Sequence, residues 1–167
     1  MKLFFDEDNA TGIPKAVRLL KAPDLASLEY PSDEKYPRHR WPKATPDSDW
    51  LPWAGRENYL VISQNNRILD TPLEFGLIQP NRVKIVFVEN GHTSSWRVFR
   101  VLQSKWKWLD EQWHRDGPFV WILRLNGHVE PYDLNLGGGR PPRPAAKPPA
   151  AKHGSDPPSD IQGRLGL

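Results

Sequence analysis

A chain of 167 residues, 26% charged and with a net charge of +3, has the size of one ordinary domain and can bury a core without covalent staples. It has no cysteine, which excludes disulfides, thiolate metal sites and cysteine nucleophiles and fits a cytoplasmic protein. Residues 137–167 hold five Lys/Arg against two Asp, which accounts for the whole excess of charge, so the basic pI carries no general attraction to nucleic acid.

The stretch "KLFF" (Lys2–Phe5) is a short apolar run and reads as a first strand. Three acids follow at once, Asp6, Glu7 and Asp8. The apolar run is too short for a signal peptide, and no run in the chain approaches the roughly 20 residues a membrane-spanning helix needs. Thr11 or Gly12 can cap a helix that has Pro14 in its first turn. Ile13, Ala16, Val17 and Leu20 then fall on one helical face. "SLEY" reads as a second short strand, and the chain is broken by prolines from Pro31 to Pro46. Asp47 opens a short helix with Trp50, Leu51 and Ala54 apolar, which Pro52 should kink or shorten.

"YLVIS" (Tyr59–Ser63) has the look of a buried strand. Thr71-Pro72-Leu73-Glu74 matches a capping box with proline at the first helical position. "VKIVFV" (Val83–Val88) is the clearest strand. Trp96, Phe99, Leu102, Trp106, Leu109 and Trp113 recur every three or four residues and predict one long helix. "FVWILRL" and "VEPYDL" flank Asn126-Gly127, a strong hairpin signal. This alternation predicts an α/β domain with a mainly parallel central sheet and an antiparallel hairpin at its end. The domain is expected to span residues 1–136. The Pro/Gly/Ala-rich basic tail, 137–167, lacks the apolar residues to offset the entropy of ordering and is expected to be disordered. Its "RPPRP" could serve as a polyproline ligand, though a solvated extension is the plainer reading.

In such sheets, sites form beyond the carboxyl ends of the strands. Asp6 follows the first strand, Asp47 opens the helix leading into "YLVIS", Asn65 follows that strand and Glu89 follows "VKIVFV". If the strands are parallel, these groups converge on one edge. Converging carboxylates repel unless a cation lies between them, and Mg²⁺ or Mn²⁺ suits all-oxygen donors. Such a metal would bind a phosphodiester and activate water for its hydrolysis. The plainer reading of Asp6 and Asp47, each taken alone, is a helix cap.

"FFDEDNATGIPKAVRLL" followed by "TPDSDWLPWAGRENYLVISQNNRI" resembles the PIN-like nuclease domains, especially those related to VapC-type toxins of toxin–antitoxin systems. Members of that family show a strand ending in "FDE" or "FDR", a helix start of the form D-x-x-W-L and a strand ending in T-x-D-x-x-I. The likeness runs from about Lys2 to Leu134. It implies a three-layer α/β/α fold and a ribonuclease dependent on Mg²⁺ or Mn²⁺. By position, Asp6 and Asp47 match the first two acids, as metal ligands and catalytic residues, with Asp49 an alternative for the second. Glu7 or Asp8 would support Asp6. The third acid falls on Asn65, whose amide oxygen can ligate a hard cation without bringing charge. Asp70 and Glu89 are candidates to compensate. RNA is the implied substrate, a cognate antitoxin protein and a second copy of the chain are possible partners, and a degenerate fold that binds RNA or protein without cleaving is the alternative.

The loop "KYPRHRWPK" (Lys35–Lys43) interleaves cations with Tyr36 and Trp41, as a single-stranded RNA path would. A proline-rich surface loop with Trp41 packed back on the domain is the plainer reading. Arg97, Arg100, Lys105 and Lys107 read as a solvated helix face. Most of the eight tryptophans fall on apolar stripes or strands and fit core packing, whereas Trp108 falls off the stripe. The five histidines show no metal-ligand spacing.

Overall fold

The computed structural model describes residues 1–33, 41–89 and 94–136. The predicted tail (137–167) and most of the basic–aromatic loop lie outside the described residues. Six strands form one sheet: β1 (Lys2–Phe5), β2 (Ser27–Glu29), β3 (Leu60–Ser63), β4 (Lys84–Val88), β5 (Phe119–Leu123) and β6 (Val129–Tyr132), ordered β2-β1-β3-β4-β5-β6. The first five are mutually parallel, and β6 returns antiparallel to β5 through the turn at Asn126-Gly127. Gly127 has φ of +85°, which the absence of a side chain makes inexpensive.

Strand alternation builds the two faces. Leu3, Phe5, Ile62, Val86 and Val88 point into one apolar layer. Phe4, Val61, Ile85 and Phe87 point into the other. The central strands are therefore apolar on both faces, as a sheet covered on both sides requires. Helices α1 (Gly12–Lys21), α4 (Ser95–Ser104) and α5 (Trp106–His114) cover the first layer, and α2 (Asp47–Arg56) and α3 (Pro72–Ile78) the second. The result is the three-layer α/β/α architecture, with the hairpin added at one edge.

Four local expectations are corrected. Leu20 is 60% exposed, and α1 buries Ile13, Pro14 and Val17. Pro52 does not end α2, which continues for four residues to Arg56. Thr71 precedes α3 as expected, yet its hydroxyl donates to the Arg67 carbonyl oxygen (3.0 Å), so the capping-box bond is not made. The long helix is two helices, broken at Lys105 (φ −106°, ψ 12°).

That break explains the tryptophans. Across it the buried positions are Val98, Val101, Leu102, Leu109 and Gln112. Trp106 and Trp113 sit half-buried at the rim, each with its indole N–H bonded, to Asp24 Oδ2 (2.9 Å) and the Asn58 carbonyl oxygen (2.8 Å). A large ring with one polar edge suits such a boundary. Trp96 lies out on the surface, 64% exposed, and Trp108 packs edge-on against Trp121. Among the described residues no helix is long and apolar enough to cross a membrane.

Candidate acidic site at the carboxyl edge of the sheet

Each covering helix that leads into a parallel strand runs antiparallel to it. Strand carboxyl ends and helix amino ends therefore share one edge of the sheet. Asp6 leaves β1 there, Asn65 lies just beyond β3, Asp47 opens α2 and Glu74 occupies the first turn of α3. One open cavity is lined by Asp6, Glu7, Asp8, Asp47, Asn65, Arg67 and Glu74, together with the 44–46 segment. The three positions matched by resemblance are thus side by side.

Asp6 is the deepest of them, only 4% exposed. Its Oδ2 accepts from the Ser63 hydroxyl at short range and its Oδ1 from Asn9 Nδ2 at 2.7 Å. The same Asn9 nitrogen reaches the Ile62 carbonyl oxygen at 2.9 Å. Because every neighbour of that nitrogen is an acceptor, the orientation of the amide is decided, and Asn9 Oδ1 remains buried without a partner among the described residues. Burial pushes the Asp6 carboxyl from 3.8 up to about 7; the Ser63 bond opposes the rise, while Asp8 and Asp47 add to it.

Asp47 is half-buried, and its Oδ1 accepts from the indole N–H of Trp50 (2.9 Å), one turn on in α2. Burial raises its carboxyl to about 6, and Glu74 contributes the next largest push. Glu7 Oε2 accepts the Ala44 amide N–H (2.5 Å), tying the segment before α2 to the mouth of β1. Asn65 Oδ1 accepts from both the backbone N–H and Nε of Arg67, each at 3.2 Å.

Three candidate substitutes stand elsewhere. Asp49 is exposed and, two residues beyond Asp47, projects from a different side of α2. Asp70 ends the turn after β3 and does not line the cavity. Glu89 does follow β4, but β3 separates β4 from β1, and the hairpin engages its carboxylate: the Leu125 N–H donates to it (3.0 Å) and Arg124 Nη1 lies 3.8 Å away. Glu74, Asn9, Ser63 and Arg67 are neighbours of these groups that the sequence pattern does not single out for the site. Glu74 has a local explanation as half of a capping box, although its place in the first turn of a helix feeding a parallel strand points to this edge.

A family model for PIN-like domains matches residues 1–90, from β1 to the end of β4, and so includes every residue lining this cavity. The chain belongs to the PIN-like domain family. Neither the curated proteins nor the solved structures give a match. The PIN-like match places the chain in a nuclease superfamily whose domains often bind RNA; α4, α5 and the hairpin lie beyond the matched span.

The donor set bears directly on the divalent metal expected from the sequence. All the groups are oxygen donors, and two carboxylates are held above their usual range, first by burial and then by neighbouring acids, Asp8 and Asp47 for Asp6 and Glu74 for Asp47. Among the described residues no three His, Asp or Glu side chains gather closely enough to hold a metal between them. Mg²⁺ is commonly held by one or two carboxylates with the substrate's phosphate and water completing the shell, so Asp6 and Asp47 fit that more open mode.

Proposed function

We propose that this PIN-like domain is an endoribonuclease that depends on Mg²⁺ or Mn²⁺, with Asp6 and Asp47 as the ligating acids and Asn65 as a neutral third position. The observation that carries the reading is the pairing of Asp6 and Asp47 in one cavity, each raised well above 3.8 by burial and by neighbouring acids. Two such groups are ionised together only at a cost that a divalent cation removes. When bound, the metal supplies charge neutralisation at a phosphodiester and a water of lowered pKa.

The chain's own residues have separable tasks. Ser63 and Asn9 each donate to one Asp6 oxygen, which leaves each oxygen a further lone pair to offer a cation. Trp50 holds the Asp47 carboxylate. Glu74 adds negative charge beside them. Isothermal titration of Mn²⁺ tests the reading: binding to the wild-type chain, weakened in Asp47→Asn and absent in Asp6→Asn, supports it. Equal heats in all three proteins count against it.

The likeness to VapC-type toxins extends the reading to a toxin with a cognate antitoxin. Growth arrest on expression, relieved by Asp6→Asn, is the corresponding test. A second reading is favoured by one observation: Asn65 Oδ1 is already engaged by Arg67. On that reading the fold binds RNA or a protein without cleaving, and Asp6→Asn leaves its cellular effect intact.

A further inference from the structure

Arg67 is the only Lys or Arg among the described residues lining the acidic cavity. Its Nε is held by Asn65 Oδ1, while its two terminal nitrogens make no hydrogen bond or ion pair among the described residues, although the cavity is rich in carboxylates. The four N–H groups on those nitrogens form the fork that matches a phosphate. A carboxylate at position 65 would pair with this guanidinium and cancel its charge. An amide fixes the side chain and leaves the charge available.

A second cavity opens beside the first and shares Asp6 and Glu7 with it. Its wall includes Lys43, an exposed cation at the end of the segment leading into α2. The two cavities that meet at Asp6 and Glu7 therefore each carry one cation, Arg67 in the first and Lys43 in the second. We infer that Arg67, oriented by Asn65, and Lys43 form a clamp for the phosphates flanking the one to be cleaved, so that a single RNA strand passes over Asp6 between them. This rests on the ribonuclease reading and gives the amide at Asn65 a second role beside the neutral third position: it holds an arginine without cancelling its charge.

The test is fluorescence-anisotropy titration of a labelled single-stranded RNA with the full chain in EDTA, where a metal-dependent nuclease does not cleave, across a series of salt concentrations. Each phosphate left without its cation should lower the slope of log K against log salt by roughly 0.7. Arg67→Gln and Lys43→Gln should each show that decrease, and Arg67→Lys should keep the slope while binding more weakly, since a point charge replaces the fork. Asn65→Asp should also bind RNA more weakly in EDTA, because the introduced carboxylate would neutralise Arg67. Both cations are exposed, and unchanged thermal melts would show that these variants fold. An Arg67→Gln protein with wild-type affinity and slope overturns the clamp; if Mn²⁺-dependent cleavage persists in it and is lost in Asp6→Asn, the nuclease reading stands without the clamp. A wild-type chain that binds no RNA in EDTA overturns the clamp, and one that also leaves RNA uncleaved in Mn²⁺ overturns both.

Discussion

Asn9 Nδ2 lies 2.7 Å from Asp6 Oδ1 and 2.9 Å from the carbonyl oxygen of Ile62, so one amide bolts the first acid of the site to the neighbouring strand. Asn9 is itself buried, and its amide serves both the end of β1 and β3. Replacing it with alanine strips the buried Asp6 Oδ1 of its donor, while the Ile62 carbonyl oxygen keeps the Asp6 backbone N–H at 3.2 Å. The expected loss is about 2–3 kcal/mol of stability, the scale of a buried acceptor left unsatisfied beside a charged group. Urea denaturation of Asn9→Ala would check this. A loss under about 0.5 kcal/mol, below the range of a single hydrogen bond, would mean that the amide contributes nothing to holding the site.

Trp50 links the core to the site in the same way on the other face. It is buried among Phe4, Leu51 and Trp53, and its N–H holds Asp47. Trp50→Phe removes that bond and some packing, at a cost of about 1–3 kcal/mol. The bond lowers the Asp47 pKa, so its loss should raise it further and weaken Mn²⁺ binding. Calorimetric titration reads the second effect separately from the first.

The acids also set a pH dependence. A carboxyl whose pKa is about 7 in the folded chain and 3.8 when unfolded takes up protons on folding. Its favourable protonated form is fully present below pH 3.8. As pH rises through 7, the group becomes ionised in both states, and the folded state bears the cost, about 4 kcal/mol for Asp6 at one pKa unit per 1.4 kcal/mol. Asp47 acts in the same direction up to about 6. Without divalent ions, the melting temperature should therefore fall between about pH 4 and about pH 7. Asp6→Asn should flatten the fall, and Mn²⁺ should restore stability most at the alkaline end. A metal-free melting temperature that rises over this range contradicts the assignment.

Asn65→Asp separates the two roles of that position. It should tighten Mn²⁺ binding by roughly tenfold, equivalent to ~1.4 kcal/mol for one added charged donor. Calorimetry would reveal it. Unchanged Mn²⁺ affinity together with weakened RNA binding would mean that the new carboxylate pairs with Arg67 and does not reach the metal.

The sequence makes some of this arrangement plain and conceals the rest. Asp6 and Asp47 are legible because each stands at the end of an element whose type the apolar spacing reveals, and parallel strands bring such ends together. Asn65 is legible for the same reason. Glu89 meets the same criterion, but strand order decides against it: β3 lies between β4 and β1, and the hairpin supplies Arg124 to its carboxylate. Glu74 is concealed because a glutamate three residues after a threonine already has a local explanation. The break at Lys105 escapes notice because the aromatic spacing runs on through it; the rim positions of Trp106 and Trp113 keep the period while the buried face is carried by Val98, Leu102 and Leu109. Asn9 and Ser63 act through contacts between β1 and β3, which no spacing along the chain encodes.

The most direct measurement is cleavage of a mixed single-stranded RNA pool by the wild-type chain and by Asp6→Asn, with Mn²⁺ and with EDTA. Cleavage by the wild type in Mn²⁺, abolished by EDTA and by Asp6→Asn, is the predicted result. A wild-type chain that leaves the RNA intact in Mn²⁺, or an Asp6→Asn chain that cleaves as well as the wild type, would contradict a nuclease built on this acidic edge.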